Sequence, residues 1–236
     1  STSRGLGDVY KRQVFSLSRL TLVAEFLVMA VILIARPWGL LGKPQVAVRT
    51  SGPAEAPLRP AGALQRKSGM AGLAILLAVP LLAGSFPYLS VLLVEILIAV
   101  LFAVSLHFII GPGGMHSFGH AAYFGLGAYA AALVLTGLHV PMEIALCAGP
   151  VAGAAGALLF GWFCVRLSGI YLAMLTLAFA QIVWAIVYQW DEVTGGSNGL
   201  LGIWPSSWAV SPTAFYYLAL TFSVAGVWLL RLSLIH

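Results

Sequence analysis

The sequence predicts an all-α protein, a polytopic bundle of transmembrane helices. Three observations predict it. Of the 236 residues, 61% are hydrophobic and 8% charged, against about 25% charged in soluble domains, and the mean hydropathy is +0.99. The apolar residues gather into seven segments, most of them close to the roughly 20 residues that a helix needs to cross a bilayer. The cations collect in alternate connections between those segments, the pattern expected when basic loops stay on the cytoplasmic side.

The segments run over 20–35, 70–86, 88–110, 119–138, 143–165, 170–190 and 213–230. The first is followed by a stretch of different character. It carries Pro44, Pro53, Pro57 and Pro60 among small and basic residues, cannot bury a core, and reads as a semi-extended linker. The second and third segments are separated by a very short turn around Pro87. The fourth grows out of GPGGMHSFGHAAYFGLGAYAAALVLT, residues 111–136, with six glycines, two histidines and a proline. A lipid-facing anchor has no use for so many glycines; they suit a packed or broken helix inside a bundle. The fifth holds Cys147 and Cys164, placed for small-residue packing. The sixth carries Tyr171, Thr176 and Gln181 and ends before Asp191 and Glu192. The seventh stops just before Arg231.

If the 36–67 connection is cytoplasmic, alternation puts 111–117, 166–169 and Arg231 on the same side. That side collects Arg36, Lys43, Arg49, Arg59, Arg66, Lys67, Arg166 and Arg231, whereas the other collects His139, Asp191 and Glu192. Arg4, Lys11, Arg12 and Arg19 at the extreme N-terminus break the pattern. The net charge of +5 is thus explained by topology, and no nucleic-acid partner is expected. STSRGLGDVYKRQ lacks the layout of a signal peptide and RLSLIH follows directly on a span, so the chain is expected to be a fragment of a longer polypeptide.

Several residues stand out chemically. Gly119, Tyr123 and Gly127 are spaced by four and share a helix side; with Gly125 they form a small-residue face suited to close helix packing or to lining a translocation path. His116 and His120 have a spacing that suits a metal on one helix face, but no cysteine or carboxylate lies near them, and no metal site is expected. Polar groups at membrane depth need partners. Tyr171, Thr176 and Gln181 therefore serve either as path-lining hydrogen-bond formers for a zwitterionic substrate or as ties between helices, and His120 and Tyr123 are further path candidates. Glu95 sits about two turns into its span, where it is protonated or reaches a polar cavity. Thr194, Gly195, Gly196, Asn198 and Gly199 belong to TGGSNG, a tight turn that is either a gate or docking loop or a simple re-entry into the membrane. The chain has no GxxxxGK[ST] phosphate loop and no HExxH, GxSxG or CxxC motif, so neither ATPase nor hydrolytic chemistry is expected of it, and no cofactor.

SFGHAAYFGLGAYAAAL (117–133), VRLSGIYLAMLTLAFAQIVWAIV (165–187) and TGGSNGLLGI (194–203), in this order, resemble the LivM-type permease of branched-chain amino acid ABC importers. The resemblance covers roughly residues 70–230. LVAEFLVMAVILIARPWGLLGK (22–43), with its Arg36-Pro37-Trp38-Gly39-Leu40 turn, resembles the C-terminal end of a LivH-type permease. The resemblance implies a LivH-like last span in 1–43, a Pro-rich cytoplasmic linker in 44–69 and a C-terminally truncated LivM-like domain in 70–236. It further implies a multi-pass protein of a bacterial-type inner membrane, working with a LivH-type half, two cytoplasmic ABC ATPases and a periplasmic substrate-binding protein. TGGSNG would lie on the periplasmic side. The family's cytoplasmic helix after the last span has no counterpart in this sequence. Importers of urea and short-chain amides resemble the same family. An ion-coupled secondary transporter is the alternative of a different class; it would use a mid-membrane acid and an inverted repeat, and Glu95 is the only acid at mid-membrane in the six-span block, with no repeat evident. An inert membrane fragment is the bland third reading.

Overall fold

The computed structural model describes residues 23–36, 40, 62–82, 87–167 and 169–235. The N-terminal tail, most of the proline-rich linker and the Pro37–Gly39 part of the Arg-Pro turn lie outside the described residues. Eight α-helices are described, with no strand among the described residues: α1 Val23–Ala35, α2 Ala63–Leu82, α3 Pro87–Ile110, α4 His120–Leu138, α5 Met142–Cys164, α6 Gly169–Gln189, α7 Asp191–Thr194 and α8 Pro212–Ile235, with single 3-10 turns at Gly196–Asn198 and Ser207–Ala209. Five of them, α3, α4, α5, α6 and α8, are long and apolar enough to cross a membrane; α1 and α2 supply shorter apolar stretches. The described part of each of the seven expected segments is thus helical.

The helix ends show why the sequence breaks where it does. Helix α2 begins at Ala63, ahead of the expected 70, because Ala63, Leu64, Gln65, Arg66 and Lys67 are good helix formers and the helix runs past the apolar stretch into charged residues. Pro87 opens α3 rather than forming a separate turn, since its fixed φ and missing N–H suit the first helical position. The same holds at α8: Pro212 is first in the helix, and the preceding Ser211 caps it, its Oγ accepting from the Ala214 N–H at 3.2 Å. Helix α3 ends in a glycine turn where the Gly111 N–H donates to His107 O at 2.8 Å and the Gly113 N–H to Phe108 O at 3.1 Å.

The chain divides into two compact units, one formed by 1–43 and 106–206, the other by 44–105 and 207–236. In the first, α4 and α5 form a hairpin across 139–141, and α6 packs on both. Leu175 and Ala178 of α6 are fully buried and, with Leu172, meet Ala30 and Leu33 of α1 and Cys164 at the end of α5. The aromatic rings of Tyr123, Phe160, Phe179 and Phe163 follow one another between α4, α5 and α6; Phe160 and Phe179 stack at 4.6 Å. The second unit centres on Tyr216 and Leu220 of α8 against Val94 and Leu97 of α3.

The outward faces are apolar. Leu158 and Trp162 of α5 and Val165 at its C-cap follow at helical spacing and are 78%, 67% and 75% exposed. Such a stripe is disfavoured in water and suits lipid tails. Arg166 ends it, its guanidinium 5.9 Å from the Trp162 ring centre, a pairing that fits a membrane–water boundary. At the other end of the hairpin unit Trp184 and Tyr188 stack at 5.0 Å.

Candidate functional site

The expected path residues come from two helices of the first unit, and part of that set meets. His120 and Tyr123 of α4 and Thr176 of α6 line one cleft of about 410 Å³, with Ser117 from the connection before α4, Gly153, Ala157 and Gly161 of α5, and Cys164 and Leu172 at its floor and wall. These positions share one end of the unit, where α3 and α5 finish and α4 and α6 start. Its walls are apolar: Gly153, Ala157 and Gly161 are four apart, so α5 presents a row of small residues that leaves room between the helices.

Tyr171 and Gln181 do not line this cleft. Each is five residues from Thr176, which at 100° per residue turns it about 140° around α6. Leu172, four residues from Thr176, shares its face and does line the cleft. Tyr171 packs instead against the core of α1, α5 and α6, and Gln181 is half-buried. Glu95 is exposed on α3. Among the described residues no group of three His, Cys, Asp or Glu side chains is gathered that could hold a metal ion.

Hydrogen bonds give the cleft a fixed rim. Thr176 Oγ1 donates to Ala173 O at 2.9 Å and accepts from the Phe118 N–H at 3.1 Å. Ser117 Oγ accepts from the Gly119 N–H at 3.3 Å. Both hydroxyls therefore hold the approach to α4. Gly119 makes this possible: a Cβ there would lie 2.6 Å from Thr176 O. Farther along, a Cβ on Gly127 would lie 3.0 Å from Gly149 O, and one on Gly149 would lie 3.3 Å from Gly127 O. Two of the three expected packing glycines are thus points of close backbone approach. Gly125 is not, since a Cβ there meets nothing within 4 Å.

TGGSNG is a compact knot following α6. Thr194 is buried, and its Oγ1 lies within hydrogen-bonding reach of the Val187 and Trp190 carbonyls, 2.8 Å from the latter. The Gly195 N–H donates to Asp191 O at 3.2 Å, and the Asn198 N–H to Gly195 O at 3.1 Å. Gly195 and Gly196 have φ of 72° and 54°, a region that disfavours any side chain. Space excludes one as well, since a Cβ would meet Gly199 O from Gly195 and Asp191 Oδ1 from Gly196. Downstream, Leu200 and Ile203 line a shallow cavity of about 230 Å³ with Ala128, Tyr129 and Ala132 of α4.

The sequence model of the family described as the branched-chain amino acid transport system / permease component matches residues 88–235, more than half of the chain. The chain belongs to this permease family. Two curated relatives, both named high-affinity branched-chain amino acid transport system permease protein LivM, are similar over part of their length. The one from Salmonella typhimurium (strain LT2) is 37% identical over 106 residues, and the one from Escherichia coli (strain K12) 35% identical over 108 residues. Each match covers 44% of this chain and 24% of the relative, so the matched part spans about a quarter of these relatives. No solved structure matches the chain. The LivM-type resemblance carried by the three motifs holds, and with five membrane-length helices the permease is a multi-pass membrane protein.

The α5 side of the cleft was not marked in the sequence. Gly149, Gly153, Ala157 and Gly161 repeat at four-residue spacing, and Gly153 comes within 3.5 Å of Tyr123 O, measured from a built Cβ. The small-residue spacing was visible in the chain; its partner helix was not. Ser117 and Cys164 likewise enter the cleft only through tertiary packing.

Proposed function

We propose that this chain is transmembrane permease material of an ATP-binding-cassette importer for branched-chain or related amino acids. The match of residues 88–235 to the permease family carries this reading. The cleft supports it: its lining is almost wholly apolar, as an aliphatic side chain requires. Ser117 and Thr176 position the rim. Arg36 and Arg166 lie at the end where the cleft sits, which by the positive-inside rule makes that end cytoplasmic and TGGSNG periplasmic. The rigid TGGSNG knot is then a docking element for a periplasmic substrate-binding protein.

On this reading ATP hydrolysis belongs to two separate cytoplasmic ATPases, and the permease contributes alternating access without covalent chemistry. A LivH-type permease forms the other half, in the inner membrane. Helix α1 is the last span of a LivH-like segment (1–43), joined to the LivM-like block (70–236) through a linker (44–69) whose end, from Ala63, already belongs to α2. The test is competition for labelled leucine uptake by the complete reconstituted transporter. Leucine, isoleucine and valine should compete and urea should not; inhibition by urea and not by valine would replace the substrate class. Tyr123→Ala should lower uptake at least tenfold, whereas Gln181→Leu, outside the cleft, should change it less than twofold.

A further inference from the structure

Helix α2 has an internal proline, Pro80, and it is buried. Proline has no N–H, so the carbonyl four residues earlier, that of Leu76, loses its ladder partner, and the ring crowds the same turn. A carbonyl freed in apolar surroundings needs another donor. The donor comes from α8. Tyr216 Oη donates to Leu76 O at 2.8 Å, and Tyr217 Oη donates to Leu77 O at 3.1 Å. Tyr216 is fully buried among Val94, Leu97 and Leu220, so its hydroxyl is the polar end of an otherwise apolar contact. The two rings meet edge to face at 5.7 Å. All of these residues belong to the unit formed by 44–105 and 207–236.

We propose that Pro80 is a hinge in α2 and that the Tyr216 hydroxyl, supported by Tyr217, is the latch that holds it. The phenol stands in for the amide that residue 80 lacks. A ladder bond within α2 would persist through any movement of a neighbour, but this bond belongs to another helix and breaks when α8 shifts along α2. Bending at Pro80 is thereby tied to the position of α8. In an alternating-access permease such a tie would pass movement of the last helix to α2; that use rests on the proposed function, whereas the latch itself does not.

The experiment is hydrogen–deuterium exchange across residues 70–82 of the full chain in lipid nanodiscs, for wild type, Tyr216→Phe, Pro80→Ala and the double variant. Because no transport partner is needed, a failed latch and a failed importer reading remain distinguishable. Tyr216→Phe keeps the ring and removes the donor, and should speed exchange about tenfold, the scale of an unsatisfied buried carbonyl. In the Pro80→Ala background, where the amide is restored, the same substitution should change exchange less than twofold. An equal effect in both backgrounds, or none in wild type, overturns the latch. Should Tyr216→Phe fail to fold, recovery of folded protein by adding Pro80→Ala supports the proposal, and failure to recover overturns it.

Discussion

A methyl group at residue 119 would stand 2.6 Å from the Thr176 carbonyl oxygen, a backbone atom that cannot swing aside. Gly119→Ala should therefore cost about 1–3 kcal/mol, the usual penalty of overpacking. Gly125→Ala, which meets nothing within 4 Å, should gain up to about 1 kcal/mol from helix propensity. Unfolding of the two variants in detergent, read by circular dichroism, checks the pair. Thr176→Val removes the acceptor for the Phe118 N–H and should lose about 1 kcal/mol, with Thr176→Ser close to wild type. At this scale the sequence was partly legible. The four-residue spacing of Gly119, Tyr123 and Gly127 marked a helix side that does pack closely. It could not separate Gly125 from Gly127, because that depends on where a second helix crosses. Nor could it choose among Tyr171, Thr176 and Gln181, which are equally polar but turn to different sides of α6.

The α4–α5 hairpin depends on two backbones meeting at Gly127 and Gly149. Gly127→Leu places its Cβ 3.0 Å from Gly149 O and adds a branched side chain beyond it, so it should force the helices apart and abolish the monodisperse folded species in size-exclusion chromatography. Leu158→Ala, on the lipid-facing stripe of the same hairpin, should leave that species intact. The TGGSNG knot is a second element-level case. Gly196→Ala sets a Cβ against Asp191 Oδ1 at a φ of 54° and should open the knot, seen as faster limited proteolysis between residues 190 and 203. The glycines and asparagine of this loop announced a tight turn correctly. The role of Thr194 as its buried hydroxyl tie did not show in the sequence, since a threonine at a helix end has several backbone acceptors within reach.

For the molecule as a whole, composition and the spacing of apolar segments were enough to predict a helical membrane bundle, because a bilayer permits few alternatives. The described parts of the segments are helices, with shifts at their ends: α2 starts early at Ala63, and Pro87 and Pro212 initiate helices. How the helices partner was not legible. The contacts of α1 with α6, and of Tyr216 with the Leu76 carbonyl 140 residues earlier, join positions distant in the chain through apolar faces that look alike. The family match agrees with the motifs that carried the resemblance, and the energy source of transport is what remains to be measured. The most direct measurement is uptake of labelled leucine into proteoliposomes holding this chain together with the proposed LivH-type half, ATPases and binding protein. Uptake should require ATP and persist when proton and sodium gradients are collapsed. Uptake without ATP, driven by either gradient, would contradict the importer reading.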